Sequence, residues 1–292
     1  MARPIVRGTA AWRYFGDFRD AFLAEQVLVL QVAHPVVAAG VRDHSDYTSD
    51  PWTRLMRTGA SLSIYVYGGD AGARVEAARL RALHRTFTGV ADGKRYSGLD
   101  PAAYAWVHAT LVKVPVDAQR FFGRELSTSE LDEYYAQMCD VGRMLGVRER
   151  DLPPDWAAFE RYHDSMVAGF SVNQTIVELF ETIRTVRKPA GWLPDRWWLP
   201  VCRAQARGQL FLIRATLPPA FRERLGLQWT ERDQRRFDRF AACVRVVSTP
   251  IPAGARTAHM RWIGKLNVWF RAHPRVYRAL VRRDGPGAKP SS

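Results

Sequence analysis

Acidic residues are scarce in this 292-residue chain: 29 Asp and Glu stand against 43 Lys and Arg, for a formal charge of +14. That surplus favours anionic partners such as nucleic acid, acidic lipid or an acidic cofactor, without choosing among them. The basic residues are spread along the chain, with no zinc-finger spacing, no aromatic RNA-binding signature and no compact basic arm, so no specific nucleic-acid partner is expected. Cysteine is equally sparse. Three of them, Cys139, Cys202 and Cys243, are widely separated and odd in number, which argues against a disulfide framework or a cysteine-based metal site and fits a reducing compartment. No uncharged apolar run is long enough to span a bilayer, and the first residues, Met1 to Gly8, lack the apolar core of a signal peptide. A cytoplasmic protein is therefore expected, with peripheral membrane contact left open. There is no Gly-rich strand-to-helix phosphate loop, no Gly-x-Ser-x-Gly elbow and no His-Glu-x-x-His, which removes the common nucleotide, acyl-transfer and zinc-protease readings.

What remains is apolar and aromatic. Hydrophobic residues make up 47% of the chain and include 10 Trp, enough for a large core or a ligand-pocket wall. Strand patterns are few, and the spacing predicts an all-α fold: one multi-helix domain over residues 1–283 enclosing a buried cofactor pocket, with 284–292 too poor in apolar residues to pack. A helix is expected from Arg19 to Val32, broken at His34-Pro35 and resuming through Val36–Val41. Residues Arg42 to Pro51 read as a polar loop, and Asp50-Pro51 opens the next helix. Ala71–Phe87 has no internal breaker, with Gly89 as its expected stop. Asp92 to Leu99 reads as a loop. Asp100-Pro101 then caps a helix running to about Lys113, and Ser127-Thr-Ser-Glu130 has capping-box spacing for one ending near Leu145. Further helices are expected at Asp155–Ala168, Val172–Val186, Trp197–Thr216, Thr230–Val247 and Ala255–Val281.

Several polar residues lie on these helices in positions suited to chemistry. Leu80, Leu83, His84 and Phe87 are three or four apart, placing His84 on an apolar stripe, where a neutral imidazole is either a hydrogen-bonded core residue or a ligand for iron. Arg54 and Thr58 share a helix face with Arg57 beside them, a guanidinium and a hydroxyl suited to an anion or an oxygen ligand, or else a solvated edge. Arg in the first turn of a helix opposes the macrodipole, which hints at a local purpose. His108 faces apolar neighbours, and His44 lies between Asp43 and Asp46, either at a pocket mouth or capping a turn. Glu160-x-x-His163 is a single Glu-x-x-His step, and helical di-iron sites need two. Trp262 to Arg271, running on to Arg278, is basic and aromatic at helical spacing, and reads as a packed terminal helix or as a surface helix resting on anionic lipid.

An ordered set of short pieces resembles the MpaB and rubber-oxygenase catalytic-domain family. They are Gly16-Asp-Phe-Arg19, Leu30-Gln-Val-Ala-His-Pro35, Asp43-His-Ser45, Asp50-Pro-Trp-x-Arg-Leu-x-x-Thr58, His84 followed by Gly89, Tyr96 followed by Asp100-Pro101, and Trp106-Val-His108. A looser match continues through Leu145-Gly146 and Asp151-Leu-Pro153. The resemblance implies an all-helical fold around a b-type haem and oxidative cleavage of an isoprenoid or other apolar alkene by dioxygen, with an electron donor left open. By motif position it implies His84 as the iron ligand and Arg54 and Thr58 on the distal side. Arg57 stands where rubber oxygenases can carry an iron-capping lysine. A guanidinium has no free lone pair for iron, so Arg57 is expected to pair with a haem propionate, leaving the iron five-coordinate or water-bound. His44 and His108 are further expected cofactor neighbours. The alternative is a helical protein that binds haem or an apolar ligand without turnover.

Overall fold

The computed structural model describes residues 2–45, 51–91, 93–185 and 194–272. The expected tail 284–292, the far end of the Ala255–Val281 helix, and Asp46 and Asp50 all lie outside the described residues. The fold is all-α apart from one small hairpin. In chain order the elements are α1 (Ala10–Tyr14), a 3₁₀ turn (Phe18–Leu23), α2 (Ala24–Ala33), α3 (Pro35–His44), α4 (Pro51–Tyr67) and α5 (Gly69–Arg85). The hairpin of β1 (Thr88–Ala91) and β2 (Lys94–Ser97) follows, then α6 (Pro101–Phe122), α7 (Thr128–Leu145), a 3₁₀ turn (Glu149–Asp151), α8 (Trp156–Gly169) and α9 (Gln174–Arg184). The chain continues with α10 (Asp195–Thr216), α11 (Pro219–Arg224), α12 (Glu231–Ser248), α13 (Ala253–Arg256) and α14 (Ala258–Ala272). No single helix among the described residues is long and apolar enough to cross a membrane.

Helix α6 organises the core. It starts where Asp100 accepts a hydrogen bond from the Ala103 N–H, with Pro101 in the first turn, as the Asp-Pro pair predicts. The expected end near Lys113 is wrong. Pro115 removes one N–H from the ladder, yet the buried stripe of Trp106, Ala109, Val112, Ala118 and Phe122 continues past it, and packing against the 3₁₀ turn, α2 and α7 carries the helix on to Phe122. Trp106 is fully buried, and its Nε1–H donates to the Leu30 carbonyl at 2.8 Å, tying α6 to α2. A smaller core of Leu23, Ala118, Phe122, Phe237 and Ala241 fixes α12 to the other side of α6. The Ser127 capping box is present at the start of α7, which ends at Gly146 with φ +97°, a backbone conformation that glycine adopts without a Cβ clash.

The loop expected over Asp92 to Leu99 is largely strand. β1 and β2 pair antiparallel with Gly89 opposite Tyr96. Gly89 is therefore not the stop of α5, which ends at Arg85 with Thr86 as its cap. A Cβ on Gly89 would collide with the Tyr96 ring, so its missing side chain makes room for that ring. The proline at 35 does break the chain between α2 and α3. Helix α3 runs on to His44, beyond the expected Val41.

The Gly16–Arg19 piece proves to be a buried charge knot. Gly16 takes φ +70°, and its N–H donates to Asp20 at 2.8 Å. Asp17 accepts from Arg19 Nε at 2.9 Å and Nη2 at 2.7 Å, and from Arg256 Nε of α13 at 2.7 Å. Arg19 also donates to the Phe122 carbonyl at the end of α6. One short segment thus ties the start of the chain to α6 and to the α13–α14 corner.

Candidate functional site around His84

Helices α4 and α5 form an antiparallel pair whose register is set by a buried hydrogen bond, Ser61 Oγ to Glu76 Oε1 at 2.7 Å. This brings the first turns of α4, with Arg54, Arg57 and Thr58, to the same end of the pair as the last turn of α5, with His84. On α5 the inward face carries Ala73, Glu76 and Ala77, which are buried, then Leu80 and His84, which are half-buried. Leu83 does not belong to it: it is 43% exposed, because a residue one position from His84 turns about 100° away around the helix.

The His84 ring meets Tyr104 of α6 edge-on at 5.6 Å and Phe87 at 5.4 Å. Its Nδ1 is buried without a hydrogen-bond partner, as is the Tyr104 hydroxyl. Buried polar atoms are ordinarily satisfied, so the unpaired His84 Nδ1 and Tyr104 hydroxyl are the groups here with hydrogen-bonding capacity left over. Burial, reinforced by the charge of Arg79, holds the His84 imidazole below its usual pKa. It is therefore neutral at pH 7, the form that offers a lone pair to a metal. Glu76, which sequence reasoning passed over, is wholly buried two turns earlier and held by Ser61 and by Arg79 at 2.6 and 2.9 Å. The signal was there to read: 76, 80 and 84 are each four apart, so a carboxylate sits on the same stripe as the histidine.

The hairpin closes this end. Phe87 N–H donates to the His84 carbonyl and Gly98 N–H to the Phe87 carbonyl. A Cβ on Gly98 would strike the His84 carbonyl and Phe87. His44, at the end of α3 and not in a loop, stacks flat on Phe87 with ring centroids 4.9 Å apart. Its Nε2 lies 3.1 Å from the Thr88 carbonyl, and since a carbonyl only accepts, the ring proton sits on Nε2. Asp43 does not cap a turn with His44, because it accepts from the Tyr96 hydroxyl at 2.7 Å. His44 is exposed, at the outer edge of the His84 surroundings.

The remaining expected residues lie as follows. Arg54 is half-buried on α4, and its charge opposes the upward push that burial gives the Glu25 carboxyl of α2. Arg57 and Thr58 are on the exposed side of α4. His108 is one turn along α6 from Tyr104 and packs on α7, where a Cβ at Gly142 would collide with its Nε2. Glu160 pairs with Lys113 at 3.0 Å, and among the described residues no three His, Cys, Asp or Glu gather to hold a metal ion. A haem iron needs only one axial histidine from the protein, and the neutral, half-buried His84 suits that role chemically.

Burial pushes the His108 pKa down to about 4, against a backbone hydrogen bond at Met138, and burial also lowers His34 and His163. A histidine neutral in the fold but protonated when unfolded contributes stability that is complete above its unfolded pKa near 6.5 and lost as pH falls toward the folded value. Thermal melts should therefore fall between about pH 6.5 and 4, with His108 alone contributing roughly 3 kcal/mol. A His108→Gln variant should show a flatter profile over that window. An unchanged profile would contradict the assignment.

The fold and this site define an all-helical domain with a neutral histidine among unpaired polar groups. Residues 12–246 match the family described as ER-bound oxygenase mpaB/B'/Rubber oxygenase, catalytic domain. The chain belongs to that family. It is also similar to uncharacterized proteins Mb2261 of Mycobacterium bovis and Rv2237 of Mycobacterium tuberculosis, each 27% identical over 255 residues covering 84% of this chain and 94% of the relative. No solved structure matches the chain. The family is an oxygenase-type catalytic domain, and this chain is read as an enzyme of that general kind.

Proposed function

We propose that the protein is a haem-dependent oxygenase that uses dioxygen on an apolar, alkene-bearing substrate, with His84 as the axial ligand of a b-type haem. The observation that carries this reading is the buried, unpartnered Nδ1 of a neutral His84, beside the unpaired hydroxyl of Tyr104. When bound, the haem supplies iron-based activation of dioxygen, whose outcome is set by the polarity and access of the open face. Arg54 and Thr58 are the residues for that face. The guanidinium donates to an acceptor carrying developing negative charge, and the hydroxyl orients it by a hydrogen bond. Arg57, exposed on α4, would pair with a haem propionate through a charge-assisted contact. Phe87, Tyr104 and the stacked His44 form walls that keep water from the imidazole, and His108 supports α6 from the α7 side. Phe87 and Tyr104 would hold an apolar substrate in a fixed place beside the cofactor, where proximity gives the largest gain.

The test is oxygen uptake by hemin-loaded protein supplied with a reductant and an isoprenoid alkene. Substrate-dependent uptake is expected, reduced about 100-fold or more in Arg54→Ala, the scale of losing one donor to developing charge. Stoichiometric haem without substrate-dependent uptake would contradict the oxygenase and leave a haem-binding protein.

A further inference from the structure

A cavity of about 830 Å³ lies at the opposite end of the α4–α5 pair from His84. Gly68, at the turn between the two helices, lines it. His84 is 16 residues further along α5, a distance of about 24 Å on a 1.5 Å rise per residue, so an occupant here is out of reach of that site. The volume is in the range of small-molecule sites.

The lining has a definite chemistry. Trp12, Ile64 and Tyr67 form the inner wall, with Trp12 and Tyr67 edge to face at 4.8 Å. Arg7, Arg261 and Lys265 supply three cations, and no carboxylate of the described residues lines the cavity. Arg261 is held in place: it donates to Thr257 Oγ1 at 2.6 Å and to the Gly254 carbonyl, and lies over the Tyr67 ring. Its remaining N–H groups have no further hydrogen bond among the described residues. Arg7 and Lys265 are exposed and form no ion pair among the described residues. Helix α14 is held against this wall because Gly264 abuts Ser63, where a Cβ would collide with the hydroxyl. The contact leaves Trp262 62% and Trp269 46% exposed, with Trp269 at the cavity edge. The packed reading of this helix therefore holds for Gly264 and not for its tryptophans.

We propose that this cavity binds an acidic single-chain amphiphile, its phosphate or carboxylate head on Arg7, Arg261 and Lys265 and its chain along Trp12, Ile64 and Tyr67. Three unneutralised cations in one wall repel each other unless an anion joins them, and the aromatic floor rewards an apolar body over a bare inorganic ion. Isothermal titration calorimetry with dodecyl phosphate below its micelle concentration tests this, with dodecanol and inorganic phosphate as partners lacking head or chain. Saturable binding of one dodecyl phosphate per chain is expected, with both controls at least about tenfold weaker, the scale of one charge-assisted hydrogen bond. The double variant Arg7→Ser, Lys265→Ser, at exposed positions, should keep the wild-type melt and lose at least about tenfold in affinity. Equal binding of dodecanol, or an unchanged double variant, would overturn the proposal. Binding to anionic phospholipid vesicles with no saturable binding of monomeric dodecyl phosphate would also overturn it, and would assign the patch to a membrane surface. The site stands apart from the haem reading: His84→Ala should leave dodecyl phosphate binding unchanged, and the Arg7/Lys265 variant should leave haem stoichiometry unchanged.

Discussion

Asp17→Ala is expected to remove about 3–5 kcal/mol of folding stability, the cost of breaking a buried pair and leaving charge uncompensated. Asp17 is 1% exposed and accepts from two arginines, one of which, Arg19, is itself 3% exposed. Burial alone would raise the Asp17 pKa, but Arg19 and Arg256 hold it below its usual value. Removing the carboxylate strands the Arg19 guanidinium in the interior with only the Phe122 carbonyl. Beside it, Asp20 is raised well above the usual carboxylate range by burial and by the Asp17 charge, so it does not replace the lost anion without its own desolvation cost. Against a typical total of about 5–15 kcal/mol, this is one of the largest single losses the fold offers. Urea unfolding should show the midpoint fall sharply, with α13 and α14 loosened first because Arg256 loses its anchor. A change below about 1 kcal/mol, the range of an exposed ion pair, would contradict the buried-knot account.

His84→Ala carries the second large effect, and it concerns binding more than folding. His84 is half-buried near the end of α5, so truncation removes few packed atoms, and the melt should move much less than for Asp17→Ala. What goes is the neutral imidazole facing Tyr104 and Phe87. Of the two other expected cofactor neighbours among the histidines, His44 has its Nε2 committed to the Thr88 carbonyl and His108 packs with its Nε2 against Gly142, so neither replaces it. His84→Ala protein should therefore fold and fail to hold haem in stoichiometric amount.

Three helix boundaries were legible from local caps and breakers. Asp100-Pro101, the Ser127 box and the His34-Pro35 break all behave as their local chemistry dictates. What was not legible came from distant contacts. The helix was expected to end near Lys113, and packing on both sides of Pro115 carries α6 on to Phe122. Asp92 to Leu99 reads as a loop and Gly89 as a helix stop because the eight paired residues of the hairpin carry little alternation, and the hairpin is held by the Tyr96 ring over Gly89 and by the link to α3 at His44.

At the site, the placement of His84 on an inward face followed from spacing, whereas Leu83 was wrongly put beside it by counting three-residue steps without fixing the face. Glu76 was missed because a carboxylate on an apolar stripe is usually read as an edge residue. The charge knot at Gly16–Arg19 was visible as a motif but not as a structure, since its third member, Arg256, is 239 residues away.

The most direct test of the central claim is a hemin titration followed by the Soret band, on wild type and on His84→Ala protein of matched fold. Wild type should saturate at about one haem per chain, with a histidine-ligated spectrum, and the variant should lose that stoichiometric binding. A variant that still takes up one fully ligated haem, or a wild type that binds none, would contradict it.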